Sequence, residues 1–193
     1  MRKTPQKVNP ENADIGVLHG RFQILHNDHL KYLLAGKKQC RALVVGITNP
    51  DPMLTKKEAS APERDTPFAN PLTFYERQFL VRTVLQENGV RSNEFSVVPL
   101  PINFPELYKY YVPMEALFFL TISGDWGKKK HDYFQSLGLN TQVLQEVSPE
   151  QKGISTSDIR ARMMDGRPWT HLVPKSVASL LNIWNITARL KDL

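Results

Sequence analysis

The sequence predicts an α/β chain: a Rossmann-like open parallel sheet of about five strands with helices on both faces. Two observations carry this. Short β-rich apolar runs alternate with stretches of helical period along the chain. With 193 residues, 41% of them hydrophobic, the chain is also long enough to bury one sizeable core.

Taken in order, residues 1–12 read as a flexible tail and 13–193 as one domain. The run "IGVL" places a first strand at Ile15–His19, and a helix follows over Asp28–Lys38. A second strand is predicted at Ala42–Ile47. Residues 48–71, rich in Pro and charge and without a sustained period, form a long loop of the kind that serves as a lid or binding segment. Then come a helix at Thr73–Asn88, strands at Phe95–Pro99 and Leu117–Ile122, a helix at Trp126–Leu137 and a strand at Thr141–Leu144. Helices at Ser157–Asp165 and Lys175–Trp184 close the series. There is no internal repeat and no low-complexity tract.

The formal charge of +6 favours anionic partners. The basic residues are scattered and no aromatic platform accompanies them, so a phosphorylated small molecule is expected, not nucleic acid. Cys40 is the sole cysteine and cannot form an internal disulfide. No apolar run has signal-peptide or membrane-spanning length, so a soluble cytoplasmic protein is expected; a homo-oligomer is left open.

Two segments carry the chemistry. "HGRFQILHNDHLKY" (19–32) puts His26 and His29 at a spacing that shares one helix face, just after the first strand. Ligands of open parallel sheets bind where strands end and helices begin, and the free N–H groups there favour an anion. Bare, the pair is equally compatible with structural histidines; a metal site is disfavoured because no third ligand lies nearby. "GISTSDIRARMMDG" (153–166) offers Ser155, Thr156 and Ser157 as caps and then Arg160 and Arg162, a set suited to a polyphosphate. Its bland reading is an ordinary capped helix with Ile159 and Met163 facing the core.

Together, "GRFQILHNDH" and "ISTSDIR" resemble the two signatures of the nucleotidylyltransferase superfamily related to class I aminoacyl-tRNA synthetases. "NPLTFYERQFLV", "VPLPI", "SGDWGKKKHDYFQSLGLNTQVL" and "MMDGRPWTHLVPKSVASLL" extend the likeness, in order, to the archaeal-type nicotinamide mononucleotide adenylyltransferases, over about residues 13–183. The resemblance implies adenylyl transfer from ATP, with Mg²⁺, to a phosphorylated acceptor such as nicotinamide or nicotinate mononucleotide, giving a dinucleotide and pyrophosphate. It implies His26, His29 and Arg160 as catalytic residues. Gly20, Arg21, Phe22, Asp28, Gly124, Asp125, Lys129, Ile154, Ser155 and Thr156 would bind the nucleotide, and Tyr108 and Trp126 the acceptor, with Tyr108 near the family's ring-stacking tryptophan; His19 is added as a substrate contact from its position, at the end of a strand beside the signature.

Three departures stand out: Asp28 replaces the signature glycine, Ile24 the signature proline, and Asp125 the usual asparagine. "GDWGKKKHDYFQSLG" followed by "ISTS" is also similar to glycerol-3-phosphate cytidylyltransferases, so ATP against CTP stays open. A nucleotide-sensing regulator that lost turnover through Asp28 is the reading from another class. Trp169 and Trp184 are read as packing residues, and Lys128–Lys130 as a solvated face from which Lys129 could reach phosphate.

Overall fold

A computed structural model describes residues 13–55, 66–148, 153 and 155–193. The expected tail, the middle of the loop and Ile154 lie outside the described residues. Strands β1 (Ala13–Gly20), β2 (Cys40–Thr48), β3 (Phe95–Leu100), β4 (Leu117–Ser123) and β5 (Asn140–Val147) form one parallel sheet in the order β3-β2-β1-β4-β5. The helices are α1 (Asn27–Lys37), α2 (Phe74–Glu87), α3 (Gly124–Ser136), α4 (Thr156–Met164), α5 (Lys175–Ile183) and α6 (Ile186–Lys191).

Successive strand residues point to opposite faces, and the sheet is accordingly buried on both. Leu18, Leu43, Val45 and Ile47 pack with Leu33 of α1, Leu80 and Val84 of α2, Ile159 of α4 and Val177 of α5. Val17, Val44, Phe118 and Leu120 pack instead with Phe134 of α3 and with Tyr108 and Val112. Each such side chain, fully buried, contributes on the order of 1.5–3 kcal/mol.

All the strands and helices read from the sequence are present, with ends that move by a few residues. β5 reaches Val147, paired to Ser123, although its polar sequence breaks the apolar run. It is an edge strand with a register shift at Leu120/Thr121, so one face can stay wet. Pro99 is tolerated in β3 because that strand is the other edge. α3 begins two residues earlier than its period indicated, because Gly124, in the left-handed region at φ 62°, turns the chain straight from β4 into the helix. Helix α6 was not expected. Its six residues are too few for a period to show, and it starts from a left-handed Asn185.

The sheet reverses its order of growth at β1. β1 pairs with β2 as far as Gly20↔Ile47, yet with β4 only at Gly16↔Leu117 and Val17↔Phe118. Beyond those pairs β1 and β4 part, and a crevice opens at their C-terminal ends, the switch-point position for a ligand in an open α/β sheet.

Candidate active site

The crevice is a cleft of about 950 Å³. Its walls come from the end of β1 (His19, Gly20), the start of α1 (His26, Asp28, His29), the ends of β4 and β5, and the segment leading into α4.

The turn after β1 is shaped by Phe22, which lies in the left-handed region at φ 52° with its ring fully buried. That ring fits because residue 20 is glycine: a Cβ there would lie 2.8 Å from it. Phe22 is not among the residues that line the cleft; its buried ring supports His29 from behind. Gln23 clamps the turn to the "NPLT" segment, its Nε2 donating to the Leu72 carbonyl at 2.8 Å while Leu72 N–H donates back to Oε1 at 2.9 Å.

Beneath the turn lies a residue that sequence reasoning passed over. Arg77 of α2 is 1% exposed and donates to five carbonyls: Thr73, Arg21, Thr48, Asn49 and Pro50. It ties the loop after β1 to the loop after β2. The start of α2 is held in turn by the Thr73–Glu76 capping box and by Arg189 of α6, which forks onto Glu76 at 2.8 Å per arm. The signal available in "NPLTFYERQFL" was a Thr three residues before a Glu; nothing local marked Arg77 as buried.

His26 sits at the N-cap of α1 and His29 at its third position, where Nδ1 accepts a long 3.4 Å bond from the His26 N–H. This leaves the ring proton on Nε2. The two rings stack at 3.8 Å between centroids, and Phe22 meets His29 edge-on at 5.1 Å. Burial holds both histidines below their usual pKa, His29 well below, with the neighbouring His26 adding to the depression of His29. At neutral pH both are uncharged donors, and their stacking costs no charge repulsion.

Arg160 comes from α4 across the cleft. It is 5% exposed, donates to the Gln23 carbonyl at 2.6 Å and lies over the Phe68 ring at 5.5 Å. Burial, and secondarily the charge of Arg21, lower its pKa to about 10, so it stays charged at pH 7. Two guanidinium groups and a run of caps therefore face one cavity, and Ser155, Thr156 and Ser157 line it alongside Gly153. Ser155 caps α4 by accepting from Asp158 N–H at 3.2 Å.

The remaining site expectations divide. His19, Gly20, Arg21, Asp28, Ser155 and Thr156 line the cleft with the two histidines and Arg160. Gly124 and Asp125, at the β4–α3 turn, are not among its lining residues, and Asp125 is exposed. Lys129 is exposed and Lys130 lines the cleft instead, since one helix position is about 100° of rotation. Tyr108 is corrected outright: it is fully buried in the α3-side core, and its hydroxyl donates to the Ile102 carbonyl. The side chain of Trp126 lies outside the described residues.

Asp28 pairs with Lys31 at 2.9 Å and stays half-exposed. Its carboxylate lies so close to Gly153 that a Cβ there would collide with it. A first-turn acid suits the helix dipole and opposes a polyphosphate, and Lys31 offsets part of that opposition. Asp28→Gly is expected to lower the melting temperature by the equivalent of about 1–2 kcal/mol, through the lost dipole term and glycine's backbone entropy. Triphosphate affinity should rise by up to about fivefold, most at low salt. Calorimetric titration at two ionic strengths checks this; unchanged or weaker binding would show that the carboxylate does not oppose the phosphates.

Fold and cleft together define an α/β protein with a cleft at a sheet switch point whose lining gathers donors suited to a polyphosphate. The chain belongs to the cytidylyltransferase-like family, whose sequence model matches residues 17–162, and it is a nucleotidylyltransferase. It is 46% identical to the phosphonoformate cytidylyltransferase of Streptomyces viridochromogenes, over 93% of this chain and 96% of that protein. It is 31% identical to the nicotinamide-nucleotide adenylyltransferase of Thermococcus onnurineus, over 92% of this chain and 87% of that protein. The fold matches a bifunctional NMN adenylyltransferase/ADP ribose pyrophosphatase from Francisella tularensis with a TM-score of 0.61 at 15% identity, over 93% of this chain and 52% of that one. This chain thus spans about half the length of that structural neighbour. No helix among the described residues is long and apolar enough to cross a membrane.

Proposed function

We propose that the protein transfers a cytidylyl group from CTP to a small acid bearing a phosphonate or phosphate. The carrying observation is the 46% identity, across nearly the whole of both chains, to a phosphonoformate cytidylyltransferase. Tyr108 supports it, because this ring, which the resemblance placed near the family's ring-stacking tryptophan, is buried in the core and does not line the cleft. Among the described lining residues, Tyr32 is the sole aromatic besides the three histidines.

In the proposed step an ionised oxygen of the acceptor attacks the α-phosphorus of CTP and forms a new P–O bond. The bond from that phosphorus to the α,β-bridging oxygen breaks, and the oxygen leaves with its electron pair on pyrophosphate. The attacking oxygen has no proton to lose, which accounts for a cleft of donors without a nucleophile–base pair. His26 and His29 would donate to the phosphate oxygens as charge grows on them, with Arg160, Ser155 and Thr156 holding the outer phosphates. Among the described residues no group of three or more His, Cys, Asp and Glu could hold a metal ion. Mg²⁺ would therefore enter on the triphosphate and neutralise charge there.

A pyrophosphate-release screen crossing ATP, CTP, GTP and UTP with phosphonoformate, glycerol 3-phosphate and nicotinamide mononucleotide tests the reading. Greatest turnover is expected with CTP and a small phosphonate or phosphate. Greatest turnover with ATP and the mononucleotide would instead support adenylyl transfer, the reading favoured by similarity to the archaeal enzymes. Tight triphosphate binding without any release would indicate a nucleotide sensor. Arg160→Ala is expected to raise the dissociation constant for the triphosphate about tenfold, through loss of a charged donor. Equal affinity in calorimetry would limit Arg160 to its bond with the Gln23 carbonyl.

A further inference from the structure

One polar side chain in the cleft stands apart from the α1 and α4 groups proposed to hold the triphosphate. His19 shares the face of β1 with Val17, on the α3 side of the sheet, while His26 and His29 rise from α1 on the other. It lines the cleft, is 8% exposed, and neither ring nitrogen has a hydrogen-bond partner. Its ring is held edge-on against Phe134 at 5.2 Å. A buried donor and acceptor left unpaired are costly, and a chain carries such a cost where something else meets the groups. An apolar residue would fill this position against Phe134 without that cost.

The surroundings indicate what meets it. Lys130 of α3 lines the same side of the cleft, close enough that its charge, after burial itself, helps push the His19 pKa down to about 3. A neutral imidazole offers one N–H and one lone pair, and the ammonium nearby sets the sign of the local field as positive. Thr121 and Ser123 of β4 complete the wall with hydroxyls. The region is polar, cationic and free of an aromatic platform among its described residues.

Resting on the cytidylyl-transfer reading, we propose that His19 and Lys130 form the acceptor subsite, and that it takes the non-attacking anionic end of a small diacid, such as a carboxylate next to a phosphonate. The imidazole N–H would donate to that end while the ammonium balances its charge. The phosphonate is thereby left to face the α-phosphorus held over the α1 histidines. Attack geometry is then set by a short rigid acceptor bridging the two sides of the crevice, the positioning on which phosphoryl-type transfer depends.

The test uses CTP and phosphonoformate with the full chain. His19→Leu is expected to raise the KM for phosphonoformate at least tenfold while the CTP dissociation constant stays within twofold. His19→Asn, which keeps an N–H and an acceptor, should fall between parent and Leu variant. In the parent, the His19 ring ¹⁵N resonances should shift when phosphonoformate is added to the CTP complex, a readout that depends on no variant folding. An unchanged acceptor KM in folded His19→Leu, or unmoved ring resonances, overturns the subsite. An equal loss of CTP affinity overturns it too, by placing His19 at the triphosphate. If the parent turns over CTP with phosphonoformate but His19 has no effect, the subsite alone fails. If the parent releases no pyrophosphate with CTP and any small diacid, the functional reading fails and the subsite with it.

Discussion

Replacing His29 with Ala is expected to slow pyrophosphate release about a hundredfold and leave a folded protein. The structural cost is small: the bond from the His26 N–H is a long 3.4 Å, one further bond runs to the Ile24 backbone, and the His26 and Phe22 rings that His29 packs against remain. Losing that helix-start contact costs about 1 kcal/mol. The catalytic cost is larger. His29 is uncharged at neutral pH, its Nδ1 is occupied, and Nε2 carries the proton at the start of α1, where backbone N–H groups also point. A fixed donor to charge that grows in the transition state is worth about 3 kcal/mol, which is about two orders of magnitude in rate. Initial rates of pyrophosphate release, paired with a thermal melt, separate the two costs. A folded His29→Ala protein that keeps parental turnover removes this side chain from the chemistry.

Arg77→Met is expected to be the most destabilising single change in the site region, by about 3–5 kcal/mol. The guanidinium is buried, and burial depresses its pKa to about 10, with the charge of Arg21 adding to the effect; it is therefore still charged at pH 7. Its compensation is a set of carbonyl dipoles at 2.8–3.2 Å from the loops after β1 and β2 and from the start of α2. Methionine fills much of the volume and pairs none of those carbonyls, each of which then sits desolvated. Against a typical domain stability of about 5–15 kcal/mol, a loss of this size moves the urea midpoint far down. Lysine is not expected to rescue it, since a point charge cannot reproduce a five-donor fork. An unchanged midpoint for Arg77→Met would show that the carbonyl clamp adds nothing to stability.

The elements of the fold were legible because each announces itself locally. The run "IGVL" and the period after it mark β1 and α1 whatever surrounds them. The two cleft-lining segments were legible for a related reason: an anion site at a helix start needs caps and donors adjacent in sequence, and "HNDH" and "STSDIR" supply them within one turn each. Tyr108 and Lys129 failed on direction. Whether a ring faces the cleft or the core, and which of three consecutive lysines reaches inward, depends on how α3 and the segment 105–110 sit against β4.

By itself, then, the sequence determined the α/β class, the order of its strands and helices, and the donor-rich starts of α1 and α4 that line the cleft, all of which follow from neighbours in the chain. Tertiary structure alone decided the rest. The early end of β1–β4 pairing opens the crevice, Arg77 knits together loops 28 and 56 residues away in sequence, and the His19 ring nitrogens are left unpaired near Lys130. The physical reason is that burial and hydrogen-bond partnership are properties of groups meeting across the sheet, and a residue's chain neighbours do not carry them.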